Sequence, residues 1–148
     1  MTEKEKDLFI KDLCARLNTN LVCSIYRVDD QGVGYRDEIL YGYYNNNTGY
    51  EFYFGEDCGI SVDNVSKIKP YLLPMSSMTD KDLVEFLQIK GMNLNSDELK
   101  TFRRGTTAIV STLPSYSRHI DWLNKNHFDY RGLIEKGLAI DATGLNIY

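Results

Sequence analysis

An α+β fold with one core is the expectation from three features of the chain. A helical period opens it: Phe9, Leu13 and Leu17 recur every four residues, with Ile10 and Cys14 beside them. A series of Tyr-rich, β-branched segments follows, punctuated by Asp, Asn and Gly turns. Past Pro74 the pattern returns to short helical stretches. The predicted architecture is an N-terminal helix, then a small antiparallel curved sheet of three to five strands, open or barrel-like, then C-terminal helices packed on it. At 148 residues the chain is expected to form a single domain over 1–148, sheet-rich to about residue 74 and helical from about 75. Neither half is large enough to bury a comfortable core by itself.

The first helix is predicted over residues 3–17. Asp7–Lys11 and Asp12–Arg16 are favourable acid-before-base pairs one turn apart, and Asn18 and Asn20 suit the helix exit. Residues 20–28 read as a strand apolar on both faces. A turn signal at Asp29, Asp30, Gln31 and Gly32 separates it from a second strand over 35–44. Asn45 to Gly49 tolerate positive φ and turn the chain into a third strand, 50–54. A short fourth is expected over 60–62. Pro70 and Pro74 forbid a long helix, so residues 64–74 are assigned to closing the sheet edge.

In the second half, Thr79 with Asp82 three residues on forms a capping-box variant. The helix it opens runs over 80–90, with Leu83, Phe86 and Leu87 on one face and Gly91 as its stop. Ser96 caps a second short helix through residue 104, with Leu99 and Phe102 inward. Residues 108–113 read as extended. Ser115 or Ser117 starts a helix to about 126 with Ile120 and Leu123 inward. A helical turn near 131–136 then leads to an edge strand at 138–140.

Composition removes several function classes. A net charge of −4 opposes sequence-independent nucleic-acid binding, which needs a basic face to displace counterions. Cys14, Cys23 and Cys58 are odd in number and far apart, so neither a disulfide scaffold nor a zinc clip is expected. The N-terminus is charged at once, and no apolar run is long enough to span a membrane. The expected location is the cytoplasm, with no membrane partner, and no cofactor or metal motif is present.

Three groups of residues qualify as candidate sites. Tyr41, Tyr43, Tyr44, Tyr50 and Tyr53 lie on two predicted strands joined by the Asn turn. Paired as a hairpin, they place several rings on one face, either as a protein-binding surface or as cross-strand packing. The two histidines sit in His119-Ile120-Asp121 and His127-Phe128-Asp129. Two helical turns, roughly 12 Å, is too far for one metal, and a histidine near a helix C-terminus is commonly a dipole partner. Arg103-Arg104-Gly105-Thr106-Thr107 could hold a phosphate, but it lacks the P-loop spacing and reads equally as a capped helix end. No Ser or Cys stands in a nucleophile motif.

The C-terminal third carries a longer pattern. Ile120-Asp121-Trp122-Leu123-Asn124, followed by the run from His127 to Ala139, resembles a motif of small proteins of gut Bacteroides and their phages. Lys69-Pro70-Tyr71-Leu72 with Pro74 to Thr79, and Asp12 to Leu17, resemble two further motifs of that group, in the same order along the chain. The resemblance implies an accessory gene product of a phage, prophage or other mobile element. It implies no chemistry.

The leading reading is a non-enzymatic interaction protein whose Tyr-rich sheet contacts a protein partner. It requires Tyr43 or Tyr44 to be exposed within an apolar patch. A second reading is an enzyme whose site is built from His127, Asp129, Tyr130 and Arg131. A third is a nucleic-acid-binding module in which Lys67, Lys69, Arg103, Arg104 and Arg118 form one basic face.

Overall fold

The computed structural model describes residues 1–29, 32–46, 49–55, 58–89, 95, 98 and 117–148. Helix α1 spans Glu3–Ala15 and opens on Thr2, whose side chain and that of Glu5 form a reciprocal capping box. Asn18 and Asn20 take positive φ after the helix and turn the chain back. Strands β1 (Val22–Asp29), β2 (Gly32–Asn46), β3 (Gly49–Phe54) and β4 (Cys58–Ser61) then run as an antiparallel meander. After a 3-10 turn at Val62–Lys67, β5 (Ile68–Pro74) pairs antiparallel with β1.

Helix α2 (Asp80–Gln88) opens on the Thr79–Asp82 capping box read from the sequence. Helix α3 (Ser117–Lys125) follows, and the chain returns to the sheet in two short strands, β6 (Phe128–Asp129) and β7 (Ile140–Asp141). Both lie parallel to β5. The fold is α+β, and among the described residues a seven-stranded sheet runs β4-β3-β2-β1-β5-β6, with β7 also on β5.

Three details correct the sequence reading. Among the described residues the sheet has seven strands rather than three to five, because two short C-terminal strands join it, and it is mixed and open rather than closed as a barrel. The 64–74 segment does not close an edge: β5 lies inside the sheet, between β1 and the C-terminal strands. Its prolines are tolerated because the parallel ladder starts only at Tyr71 and Pro74 is the strand's last residue. Residues 131–136 form turns rather than a helix. The expected elements over 96–104 and 108–113, the Gly91 stop and the 103–107 segment lie outside the described residues.

Among the described residues, two apolar clusters organise the fold. The larger joins Phe9 and Leu13 of α1 to Leu21, Cys23, Ile25, Leu40, Phe52, Phe54, Ile68 and Leu72 on one sheet face. Leu133 and Ala139 of the C-terminal segment complete it. The smaller joins Leu83, Phe86 and Leu87 of α2 to Leu123 of α3 and to Phe128, at the far end of β5. Among the described residues no helix is long and apolar enough to cross a membrane.

Candidate functional site

In an antiparallel sheet, paired residues share a face, so the register sorts the tyrosines. Leu40 pairs with Phe54 and Tyr43 with Phe52, which places these four on the side of the larger core. Tyr50, opposite Asn45, packs against the same cluster, with its ring 5.8 Å from that of Tyr43. Tyr44 pairs with Glu51 on the other face, and so does Gly42 with Tyr53. The register shifts between Leu40 and Gly42, and Tyr41 is the extra residue of that bulge. The five tyrosines therefore do not share one face: Tyr43 and Tyr50 line the core side, while Tyr41, Tyr44 and Tyr53 look outward.

The outward face continues beyond the hairpin. Val22 pairs with Ile39, Tyr26 with Tyr35, and Val28 with Val33. Tyr26 and Tyr35 meet edge to face, 5.3 Å apart. Tyr41 is 78% exposed, Val28 72%, Val33 65%, Tyr35 64% and Ile39 48%, and Tyr44 is more than half exposed. Among the described residues, charge on this face is sparse. Asp37 accepts a hydrogen bond from Tyr71 Oη at 2.9 Å, and Glu51 one from Tyr53 Oη at 3.0 Å. The bond to Glu51 raises the Tyr53 phenol above its ordinary range. Lys69 stands in the same cross-strand row as Ser24 and Asp37. Of the other basic candidates, Lys67 and Arg118 are described and Arg103 and Arg104 are not.

The C-terminal motif builds a different object. Asp12 of α1 and Arg16, which caps the end of that helix, are both fully buried. The Arg16 guanidinium grips Asp12 through Nε at 2.7 Å and Nη2 at 3.2 Å, and Nη2 also donates to the Phe128 carbonyl at 2.8 Å. Arg131 Nη1 reaches the same carboxylate at 3.2 Å. The Tyr130 ring packs against both guanidinium carbons, 5.6 Å from Arg16 and 4.9 Å from Arg131. Asp129 caps the following turn, accepting from the Leu133 and Ile134 N–H groups at 2.8 Å each. Phe128 stacks on Trp122 with ring centroids 5.6 Å apart.

His127 turns the chain at φ 59, and its buried ring stacks on Tyr148 at 3.7 Å. The structure thus brings Tyr130 and Arg131 together over Asp12 and Arg16, while His127 faces Tyr148 and the Asp129 carboxylate binds backbone. His119 is buried on α3, edge-on to Phe86 at 4.8 Å.

Sequence reasoning missed Asp12, Arg16 and Tyr148 as partners of this motif. For the first two a signal existed. Phe9, Asp12, Leu13 and Arg16 form an i, i+3, i+4, i+7 stripe, which puts the ion pair on the apolar face of α1. The geometry suits a lock better than a reactive centre. Burial pushes the Cys23 thiol far up and the Cys14 thiol up as well, which keeps both from acting as thiolates. Among the described residues no three His, Cys, Asp or Glu side chains gather as metal ligands would.

Burial, and next to it the Arg16 charge, lower the His127 pKa from 6.5 to about 4. The unfolded chain therefore binds a proton on this side chain before the folded one does. Stability is expected to be unaffected by His127 above pH 6.5 and to fall as pH drops from 6.5 toward 4. Urea unfolding at pH 7 and pH 5 checks this: His127→Gln should flatten the difference between the two. No protein-family model, no curated protein and no solved structure matches the chain.

Proposed function

We propose that the chain is a small non-enzymatic interaction protein that docks a protein partner on the outward face of its sheet. One observation carries this reading: the exposed row of Val28, Val33, Tyr35, Ile39, Tyr41 and Tyr44. An antiparallel sheet that meets water on one side ordinarily alternates apolar inward with polar outward. Here the outward positions of β1 and β2 are mainly aromatic or β-branched. Tyrosine suits such a surface, since it offers a large rigid area and a polar tip at low entropic cost. Asp37 and Glu51 on the face weigh against a nucleic-acid ligand.

The C-terminal motif is read as a packing signature that ties α1 to the end of the chain. Its resemblance to proteins of gut Bacteroides and their phages supports a role as an accessory product of a phage or mobile element, acting in the cytoplasm. Photo-cross-linking tests the surface. A benzophenone amino acid at Tyr41 is expected to give discrete protein adducts in a lysate of the native host. The same group at Lys11, exposed on α1, should give none of them. Identical adducts from both positions, or none from Tyr41, would overturn the reading.

A further inference from the structure

We infer that the partner seated on the outward face is a second copy of this chain, packed face to face as a two-fold β-sandwich. The inference rests on reading that face as a docking surface and adds its occupant. Area is the first argument. A covered tyrosine hides roughly 200 Å², and valine or isoleucine somewhat less. Tyr35, Tyr41, Tyr44, Tyr53, Val28, Val33 and Ile39, weighted by their exposure, then offer roughly 700 Å². A stable interface buries about 800 Å² on each partner, so this one face supplies nearly the whole requirement.

Self-complementarity is the second. A two-fold interface needs a patch that matches itself when reversed. Along β2, Tyr35 lies about 13 Å to one side of Ile39 and Tyr44 about 15 Å to the other. Reversed about Ile39, the Tyr26–Tyr35 pair of one copy falls over the Tyr41, Tyr44 and Tyr53 group of its mate. Two sheets packed this way cross at about −30° and lie about 10 Å apart, the ordinary sandwich geometry. Charge is the third. Among the described residues the outward face holds Asp37, Glu51 and Lys69, with both carboxylates bonded to tyrosines of their own chain. A partner recognised by strong charge finds little to pair with here, whereas an apolar copy does.

Sedimentation equilibrium of the full chain tests this. A monomer–dimer equilibrium is expected. Ile39→Lys, which sets two ammonium groups against each other at the two-fold axis, should weaken it at least about tenfold, or about 1.4 kcal/mol. Its circular dichroism, and its Tm at dilutions too low for association, should stay unchanged, because Ile39 is half exposed. Because each chain carries −4, added salt should tighten the dimer by screening that repulsion.

A dimer untouched by Ile39→Lys, or one loosened by salt, would overturn this interface. A chain monomeric at every concentration would overturn self-association. In that monomer, chemical nitration separates the two claims. Reactive Tyr35 and Tyr41 would leave a docking face for a different protein, and protected rings would remove the docking face as well.

Discussion

Replacing Asp12 with alanine is expected to destabilise the fold by about 3–5 kcal/mol, among the largest effects of any single substitution in the chain. The Asp12 carboxylate is fully buried and accepts from two guanidiniums, Arg16 and Arg131. Its removal strands the Arg16 charge in a buried site with the Phe128 carbonyl and the Tyr130 ring beside it but no counter-charge from Asp12. The penalty is the uncompensated charge rather than the lost attraction, since burying an ion pair gains little by itself. For a chain of this size the loss corresponds to a fall in Tm of about 10 °C. Arg131→Gln should cost far less, about 1 kcal/mol, because the Arg131 side chain keeps solvent contact. Urea unfolding of both variants checks the ranking, and equal effects would contradict the assignment of Asp12 as the hub.

Phe128→Ala is expected to cost about 3–5 kcal/mol through the transfer of a buried ring and the cavity it leaves. Phe128 is nearly fully buried, stacks on Trp122 and packs with the α2 and α3 side chains. Its carbonyl meanwhile receives Arg16 from α1. The residue therefore couples the smaller cluster to the first helix. Because Trp122 is the one tryptophan of the chain, its fluorescence reports the loss directly. Emission should shift to the red in the folded variant as the stacked ring disappears.

The elements held by local chemistry were legible in the sequence. The period of Phe9 and Leu13, the antiparallel pairing of β2 with β3, and the Thr79–Asp82 box each depend on residues a few positions apart. What the sequence concealed depends on distant partners. Asp12 and Arg16 look like a routine helix pair by spacing, and their burial follows from Arg131 and Phe128 arriving from the far end of the chain. The parallel pairing of β6 and β7 with β5 is non-local in the same way.

The division of the tyrosines between the two faces has a more specific cause. A strict period of two puts Tyr41 and Tyr43 together and Tyr44 opposite them. The bulge beside Gly42 shifts the phase, so Tyr41 and Tyr44 look outward while Tyr43 turns toward Phe52. A glycine within a Tyr-rich strand is the one trace of this in the sequence. The outward face as a whole was visible only in outline, as a first strand apolar on both sides.

If the outward rings serve binding and not the core, the fold should not need them. Urea unfolding of Tyr35→Ser/Tyr41→Ser, at dilutions too low for association, measures this directly. The predicted unfolding free energy lies within about 1 kcal/mol of the natural chain. A loss above about 2 kcal/mol would mean that these rings hold the sheet together, and the docking face would be refuted.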